Sequence, residues 1–453
     1  MGALDIAIVG PALPAIQNYF GLKSERLLAW VFGIYVLFNL IGTPLMAKLS
    51  DSYGRRVIYI IDVGIFALGS LLLAISGFVG FGLLLLGRAI QGFGAGGIFP
   101  VASAVIGDTF PPEKRGSALG LIGAVFGLAF IIGPILGGVM LTIGWQWLFL
   151  VNIPIALVVI GLSAWLLPAT RKPRILPFDW AGMIVLGVAL ASLAVGLNQI
   201  DTTNLWASLV SWGVGPFLLT AVLGFIEGAR LERRAKDPIL PPHLFTRKQL
   251  KLSYLLGIGA GMGEASLVFM PLLAVATLSG VSESQASYLL MPVVLAMAFG
   301  SPLVGWLLDK YGSKLVILSG SGVLTVGVTC LSLLTHSLAL FIISGVLIGL
   351  GLSALLGAPL RYIMLNEAGE AEKSAAQGVV SLFTSVGQLV GSALVGAIAS
   401  SGNGTAQRYQ DAFLMIAVFS LGMFVVSFAL KSHHEEMSGH PGKSRRIEQP
   451  GTD

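Results

Sequence analysis

Four ionisable side chains lie inside long apolar stretches of this sequence: Asp5, Asp62, Arg88 and Glu264. A charged group in a hydrocarbon environment is costly unless it is paired or hydrated, and ionisable residues that persist there usually serve proton or ion movement. The three acids are therefore candidates for protonation, and the arginine needs a partner.

Glu264 lies about ten residues into its apolar stretch, roughly 15 Å at the helical rise per residue. This depth is near the midplane of a hydrocarbon core, where transporters place substrate and ion sites. Gly257, Gly259, Gly261 and Gly263 precede it, so we expect the helix to unwind there. Unpaired, Glu264 would exchange protons near neutrality. The alternative is a permanently neutral side chain bonded to backbone.

The remaining three residues each have two interpretations. Arg88 has Gln91 at i+3 and Gly92 at i+4 on its own helix face, but its guanidinium can also be structural and bonded to backbone carbonyls. Asp5 is either a protonation site or a group that touches cytoplasmic water. Asp62 is either a protonation site or the structural partner of a basic loop residue.

Two charged turns that separate apolar stretches are nearly alike. The first runs from Asp51 to Arg56 and the second from Asp309 to Lys314. Each contains a glycine that permits a sharp turn and opens on an aspartate that can pair with arginine or cap a helix N-terminus. A single copy would be an orientation loop, but the repeat indicates a duplicated membrane protein whose halves move against each other. The turn residues with an assigned role are Asp51, Gly54, Arg55, Arg56, Asp309, Gly312 and Lys314.

The composition is that of a membrane protein. The 453 residues are 55% hydrophobic and 11% charged, and the mean hydropathy is +0.88. Soluble proteins carry about 25% charged residues. We predict an all-α membrane protein with fourteen spans, two six-helix bundles and two linker helices. The first span begins almost at Met1, so either this helix is short or the natural N-terminus is missing. The single cysteine, Cys330, excludes a disulfide within the chain.

Lysine and arginine set the orientation. With an even number of spans both termini share a side, and 23 of the 27 basic residues, Arg361 among them, fall in loops on that side. The positive-inside rule predicts that both termini are cytoplasmic in a multi-pass protein of the cell inner membrane. The basic residues then contact lipid headgroups, and the pI of about 9.3 requires no nucleic-acid partner.

Four segments follow from the repeat spacing and the spans. Residues 1–167 form an N-terminal bundle, 168–250 a linker with two extra helices, 251–431 a C-terminal bundle and 432–453 a disordered cytoplasmic tail. The proline-interrupted stretch Pro238 to Pro242 cannot be a continuous helix, and we expect it to lie along the cytoplasmic interface.

These motifs resemble those of the major facilitator superfamily, in particular its fourteen-span drug:proton antiporter branch. The first turn matches the family's Gly-x-Leu-x-Asp-x-x-Gly-Arg-Arg/Lys loop, with Ala47 in place of the first glycine, whereas the second copy keeps Gly305. The resemblance implies that this loop latches the cytoplasmic ends of the two halves together. It also implies that Asp51 faces the start of the span near Ser374.

Three further segments carry the resemblance. Arg88 to Gly92 matches the pattern Arg-x-x-Gln-Gly, whose arginine is associated with proton coupling, and Leu4 to Val9 resembles the first-span pattern, with Ala7 in place of threonine. A Gly-Pro-x-x-Gly-Gly segment resembles the superfamily's antiporter signature and favours export over uptake, although an ordinary kinked packing helix would also contain it. Its residues are Gly133, Pro134, Gly137 and Gly138.

The resemblance and the residues together predict a proton-coupled secondary transporter that exports amphipathic organic compounds, cationic or neutral, by alternating access. We predict a monomer that is not an enzyme and has no cofactor or metal. The sequence contains no Walker motif or metal cluster, which disfavours ATP-driven export. The alternatives are an exporter of one metabolite, siderophore or lipid-like molecule, and a non-transporting membrane sensor or scaffold. Five polar residues are predicted to line the transport cavity: Tyr35, Asn39, Gln91, Gln377 and Gln388. Gln377 and Gln388 can instead form hydrogen bonds between helices.

Overall fold

The computed structural model describes residues 1–21, 25–167, 179–200, 204–235, 238–278, 280, 286, 288–334, 337–369, 372–400 and 406–438. Every regular element in these ranges is helical, as predicted. The α-helices are α1 (Gly2–Phe20), α2 (Glu25–Tyr53), α3 (Arg55–Val79), α4 (Phe81–Thr109), α5 (Arg115–Leu141), α6 (Trp147–Leu150), α7 (Asn152–Leu166), α8 (Trp180–Asn198), α9 (Leu205–Val210), α10 (Gly215–Glu232), α11 (Lys248–Thr277), α12 (Met291–Tyr311), α13 (Ser313–Leu333), α14 (Leu338–Leu356), α15 (Ala358–Glu367), α16 (Lys373–Ser400), α17 (Ala406–Ser427) and α18 (His433–Ser438). Two short 3-10 turns cover Pro112–Lys114 and Pro242–Phe245.

Many of these helices are long and apolar enough to cross a membrane. Eleven in the described ranges meet that test, and a twelfth is counted when the two parts of bent α11 form one span. Helices α1 and α10 occupy two further stretches that we predicted to cross the membrane. The predicted multi-pass, all-helical class is thus confirmed, and the count of fourteen remains a prediction.

Single glycines join consecutive long helices at the two repeated turns. Gly54 separates α2 from α3 with φ of 104°, and Gly312 separates α12 from α13 with φ of 80°. Such angles are disfavoured for residues with a side chain, so each turn reverses the chain within one residue. The two turns therefore have the same local structure, as their sequences predicted.

Glycines also allow helices to pack backbone against backbone. A Cβ atom added at Gly92 of α4 would stand 2.2 Å from the carbonyl oxygen of Tyr35 on α2. On α11, one added at Gly261 would stand 1.9 Å from the carbonyl oxygen of Thr384 on α16. Neither backbone atom can move aside without shifting its helix, so these contacts fix the spacing of the helices.

The same close approach joins α5 to α12. A Cβ atom at Gly305 would stand 2.5 Å from the carbonyl oxygen of Gly116, and one at Gly127 would stand 2.3 Å from the Cβ of Ala298. Because α5 and α12 are far apart in the sequence, this small-residue seam holds the first and second parts of the chain together.

Three expectations are wrong. Arg361 lies within helix α15, not in a loop, because the helical path breaks at Gly357 and resumes at Ala358 with Pro359 in its first turn. The glycines before Glu264 do not unwind α11, which stays helical and bends by 47° at the break between Leu267 and Phe269. The predicted disordered tail begins with helix α18, while residues 439–453 lie outside the described residues.

The inserted helices α8 and α10 pack on each other. A Cβ atom at Gly224 of α10 would stand 2.8 Å from that of Ala189 on α8. Ile239, in the proline-rich stretch that follows, is buried in one apolar cluster with residues of α2, α8 and α16. The insert is thereby attached to the rest of the protein through α8 and this stretch.

The close helix contacts give a direct test. We expect Gly261→Ala to lower the free energy of unfolding by about 1–3 kcal/mol, because the new methyl group meets a backbone oxygen. Gly64→Ala is the matched control, since no heavy atom lies within 4 Å of a Cβ at that position. Thermal melting of the detergent-purified variants measures both. Equal melting shifts in the two variants would contradict the backbone-contact account.

Candidate functional site

A buried polar cluster lies among five helices. Helix α4 supplies Arg88 and Gln91, α1 supplies Asp5, α3 supplies Ser70 and α7 begins with Asn152. Each of these side chains is at most 1% exposed. The polar groups are therefore withdrawn from water and must satisfy one another.

Arg88 is the centre of this cluster. Its Nη1 donates to Asp5 Oδ2 and to Gln91 Oε1, each at 2.6 Å, and its Nε donates to the Val31 carbonyl oxygen at 2.9 Å. The guanidinium also stands 4.3 Å from the centre of the Tyr35 ring. Gln91 lies on the same helix face as Arg88, as the spacing predicted, and the alternative of an arginine bonded to backbone carbonyls is partly right because the Val31 carbonyl takes part.

Asp5 has further donors besides the arginine. Gln91 Nε2 donates to Asp5 Oδ1 at 2.8 Å and to Ser70 Oγ at 2.8 Å, and Asn152 Nδ2 reaches Asp5 Oδ1 at 3.3 Å. The expectation that Asp5 touches cytoplasmic water is wrong, because the carboxylate is enclosed by these side chains. Ser70 and Asn152 were not predicted, since nothing in their local sequence separates them from other polar residues in spans.

At the first repeated turn, Asp51 caps a helix from the other part of the chain. The backbone N–H groups of Ser374 and Ala375, in the first turn of α16, donate to its carboxylate at 3.1 Å and 2.8 Å. Arg55 binds the same carboxylate. The placement implied by the family resemblance is thus confirmed, and the positive end of the α16 dipole faces a negative charge.

Arg55 extends this contact to its neighbours. Its Nη1 donates to Ser374 Oγ at 2.7 Å and its Nε donates to Asp108 Oδ2 at 2.9 Å. Lys373 at the start of α16 reaches the other Asp108 oxygen at 3.0 Å. The first turn, the end of α4 and the start of α16 therefore form one ionic network.

The second repeated turn makes the reciprocal contact. Asp309, near the end of α12, accepts the backbone N–H groups of Gly116 and Ser117 at 2.7 Å and 2.8 Å, in the first turn of α5. Arg115 at the start of α5 donates to Asn366 on α15 at 2.8 Å. We call the contact of Asp51 with the start of α16 the Asp51 latch, and the contact of Asp309 with the start of α5 the Asp309 latch. Within the described residues, Arg56 and Lys314 form no ion pair in either latch.

Asp62 is a fully buried acid on α3, about 10 Å from the start of that helix. Neither carboxylate oxygen has a hydrogen-bond partner among the described residues. Gly97 of α4 lies against it, because a Cβ at that position would stand 2.0 Å from Asp62 Oδ2. The expected pairing with a basic loop residue is therefore wrong for the described part of the chain.

Glu264 lies near the middle of α11, just before its bend. The side chain is half-buried, and no described residue donates a hydrogen bond to its carboxyl group. The alternative of a glutamate bonded to backbone is thus not observed in the described residues. Asp62 and Glu264 differ in this respect from Asp5, whose charge is neutralised by Arg88.

The remaining predicted residues are dispersed. Gln377 is buried and bonded to Arg361 of α15, while Gln388 and Asn39 are half-buried and Tyr35 is buried beside Arg88. In the antiporter segment of α5, Gly133 and Gly137 are buried and Gly138 is exposed; the side chain of Pro134 lies outside the described residues. Among the described residues no group of three or more His, Cys, Asp and Glu could hold a metal ion.

The buried ion pair leads to a stability prediction. Arg88→Met should leave Asp5 without its cation and destabilise the protein by about 3–5 kcal/mol, whereas adding Asp5→Asn should restore most of that loss. Arg88→Lys should restore little, because one ammonium group cannot reach Val31, Asp5 and Gln91 together. Melting temperatures of the purified variants measure this. A double variant no more stable than Arg88→Met would contradict the pairing.

The Asp51 latch leads to a conformational prediction. Asp51→Asn removes a negative charge from the α16 N-terminus, a change of about 1–2 kcal/mol for a partly buried group. Electron spin resonance distances between labels on exposed Tyr53 and Tyr311, in a background without Cys330, should shift toward longer values. Asp309→Asn should shift them less, because the Asp51 latch also contains the ion pairs of Arg55 with Asp51 and Asp108. Asp411→Asn is the surface control, and unchanged distances in Asp51→Asn would rule out a latch function.

Comparisons with known proteins agree with this architecture. The sequence profile of the Major Facilitator Superfamily matches residues 1–263 and 253–450. An uncharacterized MFS-type transporter of Bacillus subtilis (strain 168) is 36% identical over 394 residues, which cover 85% of this chain and 75% of the relative. A multidrug transporter protein of the same strain is 30% identical over 409 residues, which cover 88% of this chain and 74% of the relative. Its multidrug resistance protein 3 is 30% identical over 421 residues, with 91% and 79% covered.

Solved structures share the fold. The human organic anion transporter MFSD10 superposes with a TM-score of 0.71 at 16% identity, covering 94% of this chain and 96% of that one. The transporter FucP in its outward conformation superposes with a TM-score of 0.62 at 14% identity, covering 94% and 95%. At such identities the likeness establishes the fold alone. With the profile match over nearly the whole sequence, it follows that this chain belongs to the Major Facilitator Superfamily.

Proposed function

We propose that this membrane transporter exports amphipathic organic compounds, cationic or neutral, in exchange for protons. The observation that carries the proposal is the pair of acids Asp62 and Glu264, which lie within helices and accept no hydrogen bond from described residues. Burying a carboxylate without partners costs far more free energy than burying its protonated form. Groups of this kind can take up a proton on one side of the membrane and release it on the other.

The proposed class of substrate rests on the names of two relatives. Two of the relatives described above are named a multidrug transporter and a multidrug resistance protein, at 30% identity over most of this chain. Together with the Gly-Pro-x-x-Gly-Gly segment of α5, these names favour export of varied organic compounds. Members of this superfamily are transporters and not enzymes, and this protein is one of them.

Alternating access is supported by the two latches. Asp51 and Asp309 each hold the N-terminus of a helix from the other part of the sequence, so both contacts must break for that side to open. A carboxylate at a helix N-terminus contributes about 0.3–1 kcal/mol at an exposed site and up to about 2 kcal/mol where it is partly buried, as Asp51 is. Contacts of this size are strong enough to bias two conformations and weak enough to break in each cycle.

Proton coupling would act through the acids and the Arg88 cluster. Protonation of Asp5 would remove the anion that neutralises Arg88, so the cluster would rearrange together with the helices that form it. One proton crossing 100 mV releases about 2.3 kcal/mol, comparable to the latch contacts. The proton-motive force is therefore large enough to move the equilibrium between conformations.

The proposed architecture has fourteen spans. Two six-helix bundles, residues 1–167 and 251–431, would flank the linker 168–250 that contains α8 and α10. The distribution of lysine and arginine supports cytoplasmic termini and an inner-membrane location, with the latches on the cytoplasmic side. The partners of such a monomer are its substrate, protons and membrane lipids.

Transport in proteoliposomes tests the proposal. The purified protein is reconstituted in vesicles with a pH gradient and no nucleotide, and the accumulation of an amphipathic fluorescent dye is followed. We expect uptake into acid-loaded vesicles that collapses when an ionophore dissipates the gradient. A rate equal to that of protein-free vesicles would overturn the proposal and favour a sensor or scaffold.

Glu264 gives the sharpest variant. Glu264→Gln should remove pH-gradient-driven flux, because the amide cannot carry a proton, while leaving dye exchange between equilibrated compartments intact. Glu227→Gln, on the exposed surface of α10, is the control for loss of a carboxylate. Wild-type gradient-driven flux in Glu264→Gln would exclude this residue from proton coupling.

A further inference from the structure

Arg361 is a second arginine inside a helix that is long and apolar enough to cross the membrane. The stretch Leu338–Glu367 meets the length and hydropathy criteria for a span, and Arg361 lies in its second part, helix α15. Its side chain is partly accessible, although the Nε atom is buried. Unlike Arg88, it was predicted from the sequence only as a basic residue of a cytoplasmic loop.

The partners of Arg361 are all neutral. Its Nη1 contacts Gln377 Oε1 and its Nη2 contacts Ser381 Oγ, each at a long 3.3 Å, and the Nε has no hydrogen-bond partner among the described atoms. The ring of Phe99 lies 3.7 Å below the guanidinium carbon. No described carboxylate forms an ion pair with Arg361, and its side-chain contacts with described residues are to neutral dipoles and a π face.

This lack of an anion is unusual for a buried arginine. Arg88 is neutralised by Asp5, and Arg55 by Asp51 and Asp108. A cation within a membrane helix is costly and normally pairs with an anion or lines a water-filled space. Arg361 thus holds a positive charge that no carboxylate among the described residues balances.

The local helix geometry adds to that charge. The helical path breaks at Gly357 and restarts at Ala358, so Arg361 stands in the first turn of α15. A helix N-terminus carries a partial positive charge, and a cation there is unfavourable unless an anion is near. Two independent features, an arginine without a counterion and a broken helix, therefore produce positive potential at one place.

The site also lies between distant parts of the chain. Phe99 belongs to α4, whereas Gln377 and Ser381 belong to α16, and the ionic network of the Asp51 latch joins these two helices through Asp108 and Lys373. The partly accessible Arg361 guanidinium lies between side chains of α4 and α16. Its N–H groups form the planar fork that matches a carboxylate.

We propose that Arg361, with Gln377 and Ser381, binds a carboxylate group carried by the transported compound. The long 3.3 Å contacts to neutral oxygens would be exchanged for two charge-assisted bonds from Nη1 and Nη2, while Phe99 keeps the guanidinium in plane. The inference rests on the proposed export function and deepens it: amphipathic compounds with both a cationic and an acidic group are preferred substrates.

A matched pair of probes tests the site by binding. Rhodamine B carries a carboxylate, and its methyl ester does not. Fluorescence polarisation with the detergent-purified full chain should show at least tenfold tighter binding of the acid at neutral pH, as expected for charge-assisted hydrogen bonds. Arg361→Gln should abolish this preference while leaving ester affinity within about twofold. Arg361→Lys should retain part of the preference, because its charge remains without the fork.

The controls separate the site from folding and from transport. Arg230→Gln removes an exposed arginine and should leave both affinities unchanged. Equal affinity of the wild type for acid and ester would overturn the carboxylate site, and so would an equal loss of both in a normally melting Arg361→Gln. Gradient-driven flux of the ester tests the proposed export separately, because the ester does not use this site.

Discussion

The cost of placing charge away from water governs this structure. Arg88 and Asp5 are both completely buried, and five helices contribute the groups that neutralise and bond them. Breaking such a pair costs about 3–5 kcal/mol, so α1, α2, α3, α4 and α7 are held in one arrangement as long as both charges persist. A change in protonation at Asp5 would act on all five helices at once. In the proposed mechanism, the cluster therefore links the binding of a proton to the relative position of these helices.

Glycine packing makes that link mechanical. Where α4 meets α2, and α11 meets α16, backbone atoms touch where side chains would stand, so these helices move as rigid groups. Motion is then confined to seams, of which the α5–α12 contact and the two aspartate latches are the clearest. Two acids have no hydrogen-bond donor among the described residues: Asp62 of α3, which packs against Gly97 of α4, and Glu264 of α11. In the proposed mechanism their protonation state biases which seam is closed.

Much of this site was predictable because its signals are local. The i, i+3 spacing of Arg88 and Gln91 and the duplicated turns of Asp51 and Asp309 are visible in short windows of sequence. The hydrogen bond that Ser70 accepts from Gln91 and the one that Asn152 donates to Asp5 were not predicted, since the partners lie 21 and 147 residues apart in the chain. Arg361 was misplaced in a loop because its charge lowers local hydropathy; only the restart of the helix after Gly357 puts it inside α15. Helix α18 at the start of the tail was not predicted because it is held by a distant contact: the backbone N–H of Ser313 donates to the Glu436 carboxylate.

The central claim is that movement of an organic compound is tied to movement of a proton. Proteoliposomes with a pH-sensitive dye in the lumen, no initial pH gradient and an imposed gradient of transported dye measure this coupling directly. The account predicts that dye moving down its gradient drives protons the opposite way, and that Glu264→Gln abolishes the proton signal. Dye movement without any change of lumenal pH in the wild type would contradict it.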